Sequence, residues 1–424
     1  MIPLLVFLLA GCPEPVPDAT DDDDATDDDD ATDDDDATDD DDAFDPGPEP
    51  TVPLVPVAGE VTIIQLELGP TGLGEAAVVV GPDGSLLLLD VGGASHDDDL
   101  RDAVEELNTV HLVPAAGFPA RDRLQVEWVL LTHFHGDHVG GFEHLALDDD
   151  PVSIVDGVIH RGFTGIGPAA NENDVETLQE ALEGPMSDLN VPLCVSGSCP
   201  GLWGGDLSVE GDSGRAFVDL GGARIEIVAA NGHVSDGEGA AWTGGVVIGT
   251  DEGGMENARS IVGVLSHGGF RYHFGGDLTG EGPGDDPDVE SVVAEVAGDA
   301  FYGSLGVDVA HVHHHARAGS SNAAIVDLLA PDDGRDRNVV AGVGELYFGS
   351  PDEEVVEAWT DDGRLGTGRF WSTRRALGGA DPDDYANLVI ANGPVIVQTI
   401  DGGRGYRVQA AGDALVSAAW PALR

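Results

Sequence analysis

The 424 residues contain no lysine. All 18 basic side chains are arginine, and against 80 acids they leave a formal net charge of −62. A surface so poor in cations repels polyanions, which excludes a protein that grips nucleic acid or anionic lipid through basic patches. Nucleic acid stays open only as a substrate whose phosphate is held by a metal. Cysteine is scarce too: Cys12 stands near the start, and Cys194 and Cys199 lie in Cys-Val-Ser-Gly-Ser-Cys. That short segment has no further thiol or histidine to complete a zinc knuckle. A small Cys194–Cys199 disulfide loop is therefore expected, in keeping with a location outside the cytoplasm. The apolar run at residues 2–10 is nine residues long, too short to cross a bilayer as a helix.

That run does fit the hydrophobic part of a signal peptide. It leads into Leu9-Ala10-Gly11-Cys12, which resembles the bacterial lipobox, although no basic residue precedes it. The resemblance implies a lipoprotein signal over 1–11 and lipidation of Cys12. The chain would then be exported and anchored by acyl burial, at the periplasmic face or cell surface, without a transmembrane helix. From Thr20 to Ala43 the sequence repeats Thr-Asp-Asp-Asp-Asp-Ala, and prolines follow at 46, 48, 50, 53 and 56. Self-repulsion and the lack of apolar periodicity make 12–58 a disordered, solvated spacer. Calcium loops intersperse turn glycine with their carboxylates, and the repeat has none.

Beyond it, 41% hydrophobic residues and 61 glycines over the whole chain suit a large globular domain with many turns. Strands are expected at Val61–Leu68, Ala76–Val80, Leu86–Asp90, Val126–Leu131, Val152–Ile159, Arg224–Ala229, Ser260–Leu265, Phe270–Phe274 and Gly306–Val312. Val395–Ile400 and Tyr406–Gln409 read as a terminal hairpin. Leu100, Ala103, Val104 and Leu107 fall at helical spacing, and Val289–Val296 and Asn322–Leu329 are further helix candidates. Strands and helices alternate after an opening run of strands, the pattern of a layered α/β domain.

The strongest chemical signal is His133-x-His135-x-Asp137-His138 directly after the strand Val126–Leu131. Three imidazoles and a carboxylate within six residues suit a borderline metal such as zinc. One turn cannot easily aim all four at one ion. Two sub-sites follow, His133 with His135 and Asp137 with His138, with Gly136 giving the turn between the pairs.

With Thr132 in front, this segment resembles the signature Thr-His-x-His-x-Asp-His of the metallo-β-lactamase superfamily. Leu-Leu-Leu-Leu-Asp90 resembles the strand-end aspartate that orients the metal loop. Gly275-Gly276-Asp277 resembles the later Gly-Asp whose carboxylate bridges two metals, and the strand running into His313-His314-His315 is similar to the one ending in the last metal histidine. Within the superfamily the chain is most similar to the hydrolase domain of bacterial competence (DNA-uptake) proteins and its secreted relatives. The supports are Asn257-x-x-Ser260-Ile-Val, the histidine pair after Val307-Asp308-Val309, and the terminal Trp371-Ser-Thr373 with Asp401-Gly402. It departs from them at His314-His315-Ala316-Arg317, where they read His-His-Gly-Ser. It departs again at Gly69-Pro-Thr-Gly-Leu-Gly-Glu75, where they read Gly-Gln-Gly-Asp.

The resemblance implies a four-layer αββα domain over 59–424, with an insertion near 160–255 and a C-terminal β extension near 340–424. It implies two divalent ions, zinc or manganese, held by His133, His135, Asp137, His138, Asp277 and His314 or His315, with Asp90 and Asp137 in catalytic roles. His314 is the preferred member of its pair. His233 is the candidate for a third histidine and His160 a weaker one, whereas His267 and His273 read as structural or exposed. His311 and His313 alternate with His314 and so face the other way. The implied activity is hydrolysis by a metal-activated hydroxide, on phosphodiesters or related esters in small molecules or oligonucleotides. β-Lactamase or thioesterase chemistry, or an inactive surface-displayed scaffold, are the alternatives.

Overall fold

The computed structural model describes residues 49–68, 74–163, 172–193, 208–210, 215–237, 244–245, 256–280, 287–343, 349–412 and 415–423. Cys12, the acidic repeat and the Cys194–Cys199 segment lie outside them.

The first strands are β1 (Thr62–Gln65), β2 (Ala77–Val80), β3 (Leu86–Leu89), β4 (Gln125–Leu131), β5 (Ser153–His160) and β6 (Asn190–Pro192). A second set comprises β7 (Ser208–Glu210), β8 (Arg215–Leu220), β9 (Ala223–Ala230), β10 (His233–Val234), β11 (Gly244–Gly245), β12 (Val262–His267), β13 (Phe270–Phe274), β14 (Val309–His311), β15 (Asn338–Ala341), β16 (Phe370–Ser372) and β17 (Leu388–Ile390). The chain closes with β18 (Val395–Ile400), β19 (Gly405–Ala411) and β20 (Leu415–Pro421). One sheet runs β20-β19-β18-β1-β2-β3-β4-β5-β6 and the other β11-β10-β9-β12-β13-β14-β15-β16-β17, with β7 and β8 joined through β9. Both are mixed: β3 to β6 and β13 to β17 pair parallel, and the β1–β2 and β12–β13 pairs are antiparallel.

The four leucines of β3 show why the domain is layered. All are buried, as strands covered on both faces are. Leu87 and Leu89 point into a core shared with Ile225, Tyr272, Val309 and Trp371 of the other sheet. Leu86 and Leu88 point the opposite way, onto helices α1 (Asp97–Glu106), α2 (Gly136–Val139), α3 (Phe142–Leu147) and α4 (Glu172–Glu183), through residues such as Leu100, Phe142 and Leu178. The second sheet repeats the division. Val340 joins the inter-sheet core, while Val339 and Ala341 pack under α5 (Val289–Ala297), α6 (Ala323–Leu329) and α7 (Glu353–Thr360). Helix, sheet, sheet and helix layers result, the αββα arrangement.

Capping places the helices of the second face. The Asp288 carboxylate accepts from Ser291 N at 3.0 Å to start α5, and the Asn322 amide oxygen accepts from Ile325 N at 3.0 Å to start α6. The strand expected over Gly306–Val312 is shorter in the structure. Gly306 turns at φ +68° and the chain leaves the sheet after His311. Residues 338–390 supply β15 to β17, which complete one end of the second sheet, and β18 to β20 extend the first beside β1.

A buried polar junction ties the sheets together. Asn338 on β15 donates from Nδ2 to the Tyr406 hydroxyl of β19 at 3.0 Å, and its Oδ1 accepts from Trp371 Nε1 at 2.8 Å and Arg369 N at 3.0 Å. Replacing Asn338 by alanine strands these partners without water. The expected cost is about 3 kcal/mol of unfolding free energy, read as a lowered urea midpoint with an unchanged slope. A midpoint equal to the parent protein's would show that the junction is energetically idle.

Candidate metal centre

Four segments bring titratable side chains to one end of the two facing sheets, the carboxyl ends of β3, β4, β13 and β14. Crevices of this kind are where α/β sheets place ligands. Asp90 follows β3 and the 132–138 loop follows β4. Asp277 follows β13, and His313-His314-His315 follows β14.

Hydrogen bonds fix which ring nitrogen of each histidine points inward. Asp90 accepts from Thr132 N and Thr132 Oγ1, both at 2.7 Å, and from His138 Nδ1 at 2.9 Å. The Thr132 hydroxyl gives its single proton to Asp90, so at 3.1 Å it accepts from His133 Nδ1. His315 Nδ1 donates to Gly342 O at 3.0 Å and stands 3.0 Å from Glu75 Oε2. In all three histidines the occupied Nδ1 leaves Nε2 as the inward lone pair, the arrangement in which a carboxylate or carbonyl behind an imidazole orients a metal ligand.

Around Asp277 the inward atoms form two groups. Glu75, His138, Asp277 and His315 offer ligand atoms within 4.8 Å of one another, and so do His133, His135 and Asp277. Asp277 belongs to both. Its Oδ1 lies 3.2 Å from His138 Nε2, and its Oδ2 lies 3.7 Å from His133 Nε2 and from His315 Nε2. Asp137 stands beside the first group, 3.3 Å from His315 Nε2 and 4.0 Å from His138 Nε2. Ligands about 2.1 Å from a tetrahedral ion sit about 3.4 Å apart, so these spacings fit a shared cation. His138 Nε2, His315 Nε2 and Asp277 Oδ1 are buried with no hydrogen-bond partner, a state that buried polar atoms avoid unless an ion completes them. The residues present fit two divalent ions.

Electrostatics point the same way. Burial alone would raise the Asp277 carboxyl, but His138, His315, His133 and His314 hold it well below the usual carboxylate range. Burial likewise opposes charge on His138 and His315, yet the surrounding carboxylates together outweigh it, Asp277 with Asp137 and Asp90 at His138 and Asp277 with Asp137 and Glu75 at His315, and both are pushed well above the ordinary imidazole value. His133 is driven well below its ordinary value by burial and by His138. Three residues, His135, Asp137 and His314, keep partial exposure and mark the open side of the crevice.

The backbone is strained where ligands must turn in. His314, His315 and Ala316 have φ of +53°, +54° and +58°, a conformation costing L residues about 1–2 kcal/mol each. His314 N donates to Gly276 O at 3.1 Å and Ala316 N to His313 O at 3.0 Å. Glycine is required at 276, where φ is +52° and a Cβ would lie 2.5 Å from Thr132 Oγ1. Gly136 has no positive φ. The turn between the histidine pairs is the start of α2, not a glycine conformation.

Several expected placements differ. His233 sits half-buried on β10, paired with Ala230 and Gly245, and belongs to neither converging group. His160 is committed elsewhere: Nε2 meets Asn190 Oδ1 at 2.8 Å and Nδ1 accepts from Gly162 N at 3.2 Å. His315, rather than His314, enters a converging group; His314 Nε2 lies 3.9 Å from Asp277 Oδ2. The alternation argument for His311 and His313 fails because β14 ends at His311. His311 pairs with buried Glu75, and His313 links His273 Nε2 at 2.8 Å to Glu290 Oε1 at 2.7 Å. His273 is buried in that chain. Glu75 is the residue that the sequence reading did not assign. Its carboxyl is lowered to about 2: burial raises it, and His311 and His315 more than offset that. The available signal was its place in the opening pattern, where similar chains carry an acid.

Because neighbouring carboxylates push His138 and His315 well above the ordinary imidazole value, filling the site is expected to expel protons. As pH falls, zinc affinity is expected to weaken by about a hundredfold per unit over the range in which both imidazoles bind protons. The check is calorimetric titration in buffers of differing ionisation enthalpy, with about two protons released per chain. Binding without proton release would refute the charge assignment.

A profile of the Metallo-beta-lactamase superfamily matches residues 70–343. No curated protein matches the chain. Among solved structures, it is similar to a diphosphatase from the PhnP family, at 12% identity over 70% of this chain and 91% of that one, with TM-score 0.33. It is also similar to a metallo beta lactamase from Hirschia baltica, at 15% identity over 59% and 84%, TM-score 0.27. CmlA, a diiron beta-hydroxylase from Streptomyces venezuelae, matches at 14% identity over 73% of this chain and 51% of that one, TM-score 0.30. With the profile spanning more than half of its length, the chain belongs to the metallo-beta-lactamase superfamily of metal-dependent hydrolases.

Proposed function

We propose that the protein hydrolyses phosphodiesters or related esters at a two-metal centre, as an exported lipoprotein tethered through Cys12. The observation that carries the reading is the shared Asp277 carboxylate. It offers ligand atoms both to the group of His133 and His135 and to the group of Glu75, His138 and His315, so it suits two cations side by side. Zinc fits the imidazole-rich donor set, with manganese as the alternative. When bound, such ions supply Lewis acidity and make water a nucleophile near neutral pH.

The chain's own residues do the rest. His133, His135 and Asp277 would hold one ion; His138, Asp277 and His315 the other, with Asp137 beside them. Asp90 keeps His138 in the tautomer whose Nε2 faces the crevice and, through Thr132, keeps His133 likewise. Substrate enters from the partly exposed side formed by His135, Asp137 and His314, where His314 supplies a polar contact at the rim. Two adjacent cations match the attacking and leaving oxygens of a phosphate ester. The likeness to competence-type hydrolase domains favours the same substrate class, by analogy only.

The test is metal content with activity. The protein reconstituted with zinc is expected to bind two equivalents and to hydrolyse bis(p-nitrophenyl) phosphate faster than nitrocefin or a thioester. Asp277→Asn and His133→Ala are each expected to lower the diesterase rate at least a hundredfold. Absence of bound metal at neutral pH would favour a scaffold instead, and faster nitrocefin turnover would move the substrate class to lactams. For the tether, Cys12→Ala is expected to shift the chain from the membrane fraction to the soluble exported fraction. An unchanged distribution would remove Cys12 as the anchor.

A further inference from the structure

One buried ion pair lies beneath the metal-binding loop and serves no step described above. Arg161 and Glu256 are both fully buried. Arg161 Nε meets Glu256 Oε1 and Nη2 meets Glu256 Oε2, each at 2.7 Å, and Arg161 Nη1 donates to Gly162 O at 3.0 Å. The same Glu256 Oε1 accepts from the backbone N–H of Phe134 at 2.9 Å, across 122 residues of sequence. Phe134 stands between His133 and His135. Its ring lies 4.3 Å from the Arg161 guanidinium and stacks on Phe163 at 5.4 Å.

β4 ends at Leu131, so the N–H of Phe134 has no strand partner and needs an acceptor in the interior. Replacing a buried ion pair by apolar groups of similar volume is often neutral for stability; what this pair supplies locally is a fixed acceptor. Glu256 also opens a short turn that touches the other ligand segments. Asn257 Nδ2 lies 3.2 Å from His314 Nε2, and Ser260 Oγ accepts from Asp277 N at 3.2 Å. Ile261 N donates to Thr132 O at 2.9 Å.

We propose that Glu256 is a positioning residue for the metal centre. Its carboxylate pins the Phe134 backbone so that His133 and His135 aim at one ion, and Arg161 neutralises the charge this requires. The proposal rests on the reading of His133, His135 and Asp277 as metal ligands.

Two double variants of the full chain separate aiming from packing. Arg161→Met with Glu256→Gln removes both charges but leaves an amide oxygen for the Phe134 N–H. Arg161→Met with Glu256→Leu removes the acceptor too. Zinc affinity is measured against a competing chelating dye, the cobalt(II) absorption spectrum reports ligand geometry, and circular dichroism reports folding. The Gln variant is expected to bind two equivalents within threefold of the parent affinity, with the parent cobalt spectrum. The Leu variant is expected to bind one equivalent 10- to 100-fold more weakly, with an altered spectrum, and to keep the other. A folded Leu variant with parent affinity and spectrum overturns the proposal. So does a tenfold loss in the Gln variant, or its failure to fold, since the ion pair itself would then be what matters. If the Leu variant does not fold, the Gln variant decides alone by the same criteria. A parent protein that binds no zinc overturns the proposed function itself, an outcome distinct from any of these.

Discussion

Burial of one carboxylate among imidazoles is the constraint around which the domain is arranged. Asp277 lies out of water with its oxygens 3.2 to 3.9 Å from four histidine nitrogens. An unpaired buried charge is among the costliest features a fold can contain. Its compensation comes from two separate stretches of chain, the 132–138 loop and the 314–315 turn, so each must leave its strand at the right level. The carboxylate and the imidazoles offset one another's charge, and divalent cations would do the same. The same geometry therefore stabilises the fold and prepares the chemistry.

The two sheets make this convergence possible because strands covered on both faces end in register. Asp90 N donates to Leu130 O at 2.8 Å, which sets the end of β3 level with β4 and brings the Asp90 carboxylate under Thr132 and His138. On the other sheet, the parallel register of β13, β14 and β15 carries Asp277, the histidine turn and Gly342 to the same height. Three consecutive left-handed residues at 314–316 are tolerated because Gly276 O and Gly342 O hold that turn from two sides. Buried acids work behind the 133–138 loop and His315: Asp90 behind His138, Glu75 behind His315, and Glu256 behind the Phe134 backbone.

Much of this was legible in the residues. The apolar runs of β3 and β4, the helical spacing of Leu100, Val104 and Leu107, and the histidine run after β4 all follow local rules, and the elements lie within a few residues of where those rules put them. The helix over Asn322–Leu329 and the strand Phe270–Phe274 were equally readable. The misreadings share one cause. Alternation was applied to His311, His313 and His314 as though the strand continued, but a left-handed turn intervenes and the period of two no longer holds. His233 and His160 read as ligands in waiting because a histidine after a strand looks the same whether its ring faces a crevice or an asparagine.

Local sequence determined which side chains could bind a metal and that a strand would present them, since both depend on composition and periodicity over a few residues. Tertiary structure alone decided that Asp277 is shared by two groups, that His315 enters one and His314 stays at the rim, and that Glu75 and Glu256 belong to the site at all. Those outcomes depend on distances between segments up to about 240 residues apart, and such distances are set by how two sheets pack, which no short stretch of sequence encodes.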